Sequence, residues 1–210
     1  MKKALPALFL GVTIAATSVG AAWAKDAGDL RVRLHGIGFM TETDGTTDAL
    51  GGDARTSDDY VPELDFSYFF TKHIAAELIL ATTKHRVYVD NSSSGNLDLG
   101  SVRVLPPVLT LQYHFNPDGK WSPYVGAGIN YTVTYGASTG PSVNDVKYSN
   151  EFGYALQAGL DYEIDDVWSL NFDVKKVFVD TDIVANGGSV NAKGTALDPW
   201  VIGLGFGYTF

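Results

Sequence analysis

The chain contains no cysteine. If it leaves the cytoplasm it does so without disulfides, and something else must hold it, such as a closed hydrogen-bonded sheet. Charge is sparse: charged residues make up 19% of the 210, with only 15 basic against 24 acidic. So acidic a chain is a poor partner for nucleic acid, whose phosphates demand cations. Beyond the amino terminus no apolar run reaches about eighteen residues, which excludes a bundle of membrane-spanning helices. The four histidines (35, 73, 85 and 114) fall on different strands or turns without ligand spacing, so no metal is expected, and no cofactor. The "GLGFG" run leads into no helix and is therefore not a phosphate-cradling loop. Hydrolytic chemistry needs a Ser, a His and a carboxylate to converge, and inward-pointing Ser67 and His85 have no evident third member.

What is present begins with a leader. Met1-Lys2-Lys3, an apolar stretch from about Ala4 to Ala16 and the small residues closing on Ala22-Trp23-Ala24 have the layout of a secretory signal peptide. The expected organisation is a leader at 1–24 and one barrel domain at 25–210. Without Lys2 and Lys3, 13 basic against 24 acidic side chains leave a formal charge of −11.

The rest of the chain is rich in Gly (23), Tyr (11) and Phe (11), a bias toward sheet. Strict alternation recurs in segments of about ten residues, enough to cross a bilayer at a tilt. Tyr60, Leu64, Phe66, Tyr68 and Phe70 face one way, and Val61, Glu63, Asp65 and Ser67 the other. The final run sets Trp200, Ile202, Leu204, Phe206, Tyr208 and Phe210 against Val201, Gly203, Gly205, Gly207 and Thr209. Eight such strands are predicted: Leu30–Met40, Tyr60–Phe70, Ile74–Val89, Val102–Phe115, Tyr124–Tyr135, Glu151–Ile164, one beginning at Trp168, and Leu197–Phe210. One face of each is apolar throughout, while the ionisable residues share the other face with glycine. That pattern is inside-out for a water-soluble sandwich and right for an all-β, eight-stranded antiparallel transmembrane barrel. Connections alternate between short turns and four long polar loops, 41–59, 90–101, 136–150 and 181–196, which puts the turns and both termini on the periplasmic side. Aromatic girdles agree: Phe70, Phe115, Trp121, Tyr124, Tyr162, Trp168 and Phe210 at the turn end, and Tyr60, Tyr88, Tyr135, Phe178 and Trp200 at the loop end.

Sorting inward positions by height separates two zones. Near the turns lie Arg31, Arg33, Asp65, Glu77, His114, Asp161, Glu163, Asp173 and Lys175, a polar floor for a barrel barely wide enough for side chains. Lys175 is expected to pair with Glu77 or Asp173. Nearer the loops the lining is Ile37, Phe39, Val61, Ile79, Val87, Val177, Val179 and Val201, which would favour apolar solutes over ions. Pro106-Pro107 interrupts the fourth strand, because proline donates no ladder hydrogen bond, and marks either a lateral exit or a kink toward the loop. Glycines 126, 128, 153, 159, 203, 205 and 207 make room inside, for Arg31, Arg33 and Lys175 or for a solute.

The stretches "IAAELILATTKHR" (74–86), "LPPVLTLQYHF" (105–115), "SPYVGAGINYT" (122–132) and "LDPWVIGLGFGYTF" (197–210) resemble the outer-membrane protein W family, which includes the alkane-uptake porins. The resemblance implies an eight-stranded bacterial outer-membrane barrel passing small hydrophobic molecules, with membrane lipid and such solutes as partners. It also implies that Phe206, Tyr208 and Phe210 form the signal read by the barrel-assembly machinery. For the family's hydrophobic constriction, Ile79 holds the matching position on strand three, whereas strand seven has Lys175 where an aromatic is expected. Two other readings stand beside the conduit: a structural or adhesive barrel working through its loops, and a lipid-modifying barrel enzyme. The oligomeric state is not legible.

Overall fold

The computed structural model describes residues 25–42, 51–93, 95–185 and 190–210, with backbone alone for 190–196; the predicted leader lies outside them. In chain order the strands are β1 (Leu30–Met40), β2 (Asp53–Thr56), β3 (Asp59–Phe69), β4 (Ile74–Ala81), β5 (Thr83–Ser92), β6 (Gly95–Leu105), β7 (Val108–His114), β8 (Trp121–Thr139), β9 (Val146–Tyr148), β10 (Glu151–Glu163), β11 (Trp168–Phe178), β12 (Asp180–Ala185), β13 (Val190–Ala196) and β14 (Trp200–Thr209). Eight of them close a ring, β1-β3-β4-β7-β8-β10-β11-β14, every neighbouring pair antiparallel. The first and last strands complete it, in register from Arg31–Thr209 to Met40–Trp200. Closure leaves no sheet edge facing lipid, which is what lets strands cross a bilayer.

Side chains obey the alternation. Leu34, Tyr68, Leu111, Tyr154, Leu170, Leu204 and Phe206 stand exposed on the outside, while Arg31, Arg33 and Ser67 are 0% exposed within. Tyr124 is the exception to the predicted girdle. It is buried inside the barrel, sharing parity with Gly126 and Gly128 on β8.

The long connections are largely strands rather than loops. β5 and β6 carry the third and fourth strands onward through the predicted 90–101 loop, and β2 adds to β5. β8 runs on to Thr139 beside β6, and β9, β12 and β13 form a small sheet. We call this ordered extracellular rim the collar; Val87, Val89, Leu99, Val102, Val104 and Ile183 are among its buried residues. On its outer surface β5 presents Lys84 and Arg86, so the collar stands above the hydrocarbon.

At the opposite end the turns are short and locally stapled. The Asp165 carboxylate accepts the backbone N–H groups of Val167 (3.0 Å) and Trp168 (2.8 Å), which lower its pKa. Lys72 pairs with Asp118 (2.7 Å) and with Asp26 (3.4 Å), and those carboxylates raise its pKa.

Candidate functional site

The interior is built in layers, because inward positions on neighbouring strands share a height. At the periplasmic end the Arg31 guanidinium donates to Asp161 (3.1 Å), to both Glu163 oxygens (3.1 Å each) and to the Thr209 hydroxyl (2.9 Å). Lys25, which precedes the first strand, turns its ammonium into the same cluster, 3.0 Å from Asp161 and 3.2 Å from Glu163. One step up, Arg33 donates to Glu77 (2.5 Å), Ser67 (2.6 Å) and Asp161 (3.2 Å), with His114 3.8 Å from Asp161.

Above that, the Lys175 ammonium lies 2.6 Å from Asp173 and 2.9 Å from Glu63. Glu77, the other partner expected for Lys175, is taken by Arg33 and by the Gln157 amide (2.8 Å). Tyr124 donates its hydroxyl to Asp173 (2.6 Å), and His35 sits between Asp65 (2.6 Å) and Asn171 (2.8 Å). All nine predicted floor residues are therefore buried and brought together. His35, Glu63 and Asp65 offer three metal-type ligand atoms within 4.8 Å of one another, a grouping their sequence spacing does not suggest. There the Lys175 ammonium already supplies positive charge to Glu63, and the His35 ring is engaged on both nitrogens.

Glycine makes this density possible. A methyl group at Gly205 would collide with the His35 ring, and one at Gly159 with the Tyr124 ring. At Gly207 it would lie 3.2 Å from Arg33 and 3.4 Å from Arg31. The room is taken by side chains of the neighbouring strand and not from across the barrel, for His35 is the rung partner of Gly205, Arg33 of Gly207 and Tyr124 of Gly159; His35 and Tyr124 use it where Lys175 was expected.

The eight predicted apolar positions all point inward above the floor, buried except for half-buried Val61. Ile37, Phe39 and Val201 form one cluster against Val61, while Ile79, Val177 and Val179 form another with Val108 and Ala155. Between these clusters and the collar lies a cavity of ≈ 40 Å³, room for about three waters. Phe39, Val87, Val177 and Val179 line it, with Pro106 of the expected exit, and so do Val102, Val104, Ile183, Leu197 and Pro199, which sequence reasoning missed. The signal was there in part, as Val102 and Val104 alternate. Burial at the rim of this cavity pushes the Tyr148 hydroxyl up to about 12 and the His85 imidazole down. His85 is bonded to the Ser57 carbonyl (2.6 Å) and to Thr83 (2.8 Å), while Ser67 is bonded to Glu77 (2.7 Å) deep in the floor. The two do not meet as a nucleophile and its base would.

At Pro106-Pro107 the wall thins on one side. The β4–β7 ladder ends at Ile79–Val108 and the β5–β6 ladder begins at Thr83–Val104, leaving Leu80–Thr82 without rungs to the fourth strand, although Leu80 and Ala81 stay paired with Leu64 and Glu63 of β3. On the other side the wall is intact, since the Pro107 carbonyl accepts from Tyr131 N–H (3.1 Å) and from the Asn130 amide (3.1 Å).

Fold and interior together define an eight-stranded outer-membrane barrel with a charged floor and an apolar pocket beneath an extracellular collar. The chain belongs to the OmpW family, whose model matches residues 26–210. Outer-membrane protein y4mB of Sinorhizobium fredii is 44% identical over 86% of this chain and 79% of its own length. Outer membrane protein W of Escherichia coli is 35% identical over 95% and 99%. Among solved structures, the crystal structure of outer membrane protein OprG from Pseudomonas aeruginosa superposes with a TM-score of 0.81 at 26% identity, covering 89% of this chain and 98% of that one.

Proposed function

We propose that the chain is a passive, non-enzymatic conduit for small hydrophobic molecules. A solute enters through the collar, occupies the apolar pocket, is stopped by the charged floor and leaves sideways into the bilayer beside Pro106-Pro107. One observation carries this reading: Pro106 lines the pocket and also borders the stretch where rungs are missing between the third and fourth strands. An apolar molecule would gain by leaving water there, whereas an ion would meet no partner. The resting cavity is small, so the collar side chains must move to admit an alkyl chain. Phe206, Tyr208 and Phe210, outward on the last strand with rings in edge contact at 4.7 Å between Tyr208 and Phe210, are assigned to docking on the assembly machinery.

The test is uptake of an apolar fluorophore into liposomes carrying the purified barrel. Val177→Asp, which sets an unpartnered carboxylate in the pocket wall, is expected to abolish the protein-dependent component; uptake equal to wild type would refute the pocket's role. The filled floor favours a second reading, a structural or adhesive barrel acting through its collar, which predicts no protein-dependent uptake from the wild type.

A further inference from the structure

Three cations crowd one outward patch of the collar. Lys84 and Arg86 are two residues apart on β5 and share its exposed face, and Arg103 of β6 is the rung partner of Lys84. Like charges set directly opposite destabilise a sheet unless an anion lies between them. Among the described residues none of the three forms a salt bridge, whereas nearby Arg55 is held by Asp90 at 3.2 Å and Lys176 by Glu42 at 2.6 Å; Arg86 is bonded to Tyr88 and attracted by Asp98 without pairing to it. Two carboxylates beside the patch accept backbone N–H groups. Asp59 accepts the N–H groups of Lys84 (2.7 Å) and Tyr60 (2.9 Å), and Asp98 that of Gly100 (2.8 Å). Three cations side by side, none in a salt bridge, are conspicuous in a chain whose charge is −9.

The height of the patch says what it meets. The other rung partner of Arg103 is Tyr135, an exposed member of the upper aromatic girdle, where headgroups begin. Directly below on β4 the outward residues turn apolar, and exposed Leu78 is paired with exposed Leu109. Charge above and leucine below match a molecule with anionic phosphates over acyl chains.

We propose that Lys84, Arg86 and Arg103 bind the phosphate groups of an anionic lipid of the outer leaflet, whose chains lie along Leu78 and Leu109. Guanidinium and ammonium donors suit phosphate, and membrane placement selects a lipid over a soluble anion.

The experiment uses the full barrel in nanodiscs of zwitterionic phospholipid with a minor fraction of lipid A, a diphosphorylated glycolipid; lipid retained by the protein is measured by native mass spectrometry. Wild type is expected to retain lipid A about tenfold above its bulk fraction, with the enrichment falling as salt rises. Lys84→Gln/Arg86→Gln/Arg103→Gln should return it to the bulk fraction, and Lys72→Gln/Lys120→Gln, at the periplasmic rim, should leave it unchanged. Folding of each variant is checked by heat-modifiable gel mobility; should the triple variant fail to fold, Arg103→Gln alone, on an exposed side chain, must lower the enrichment. Enrichment that persists in the folded variant, no enrichment in wild type, or displacement of lipid A by millimolar inorganic phosphate would each overturn the proposal, the last by marking a site for soluble anions.

Discussion

Asp161→Asn removes the hub of the floor while keeping its shape. The carboxylate lies 3.0 Å from Lys25, 3.1 Å from Arg31 and 3.2 Å from Arg33, and is wholly buried. At an effective dielectric near 20 each such pair attracts by about 5 kcal/mol before desolvation, and removing one member of a buried pair costs about 3–5 kcal/mol net. Here each cation keeps a second carboxylate: Glu163 for Lys25 (3.2 Å) and Arg31 (3.1 Å), Glu77 for Arg33 (2.5 Å). The expected loss is therefore at the low end, about 3 kcal/mol. Urea unfolding in lipid vesicles, followed by tryptophan fluorescence, measures it. Adding Lys25→Met takes away one of the stranded cations, so the double variant should recover at least about 1 kcal/mol relative to the sum of the singles. A loss below about 1 kcal/mol for Asp161→Asn, or strict additivity with Lys25→Met, would refute a floor held by mutual charge compensation.

The lateral exit is tested by a bond across the missing rungs. The chain has no cysteine of its own, so Thr82→Cys/Leu105→Cys introduces a single pair; oxidation is expected to block delivery of apolar solute and reduction to restore it, while delivery unaffected by oxidation would dismiss the exit. Close backbone approach makes Gly128→Ala costly, because the new methyl would strike the Leu109 carbonyl, whereas Gly36→Ala meets nothing. A loss of about 1–3 kcal/mol for the first and none for the second is expected in the urea assay. Burial holds the His85 pKa below 6.5, so its share of stability is present above that pH and is lost as pH falls toward the folded value. Thermal melts of wild type and His85→Phe should therefore diverge less at pH 5 than at pH 8, and a constant difference would contradict the assignment.

How far these features could be read in advance depends on how local their cause is. Alternation is a property of successive residues, so the inward set from Ile37 to Val201 and the nine floor residues were legible from period two alone. Tyr124 was misplaced because an aromatic ring near a strand end suits a lipid girdle as well as a lumen; its shared parity with Gly126 and Gly128 was the better guide. Lys25 carried no signal, since it precedes the first strand and no periodicity reaches it. The collar was mistaken for loops because Gly, Ser, Thr and Asn mark turns locally, while strand pairing such as β5 with β6 is satisfied only by a neighbour.

By itself, then, the order of residues determined which side chains look outward, how many strands cross and where each turn falls, because pleating assigns faces without reference to any partner. Which charge meets which was decided only on closure. Arg33 reaches Asp161 across 128 positions, and Lys175 reaches Glu63 across 112. Barrel diameter and strand register choose those pairs, and neither is a property of any one strand.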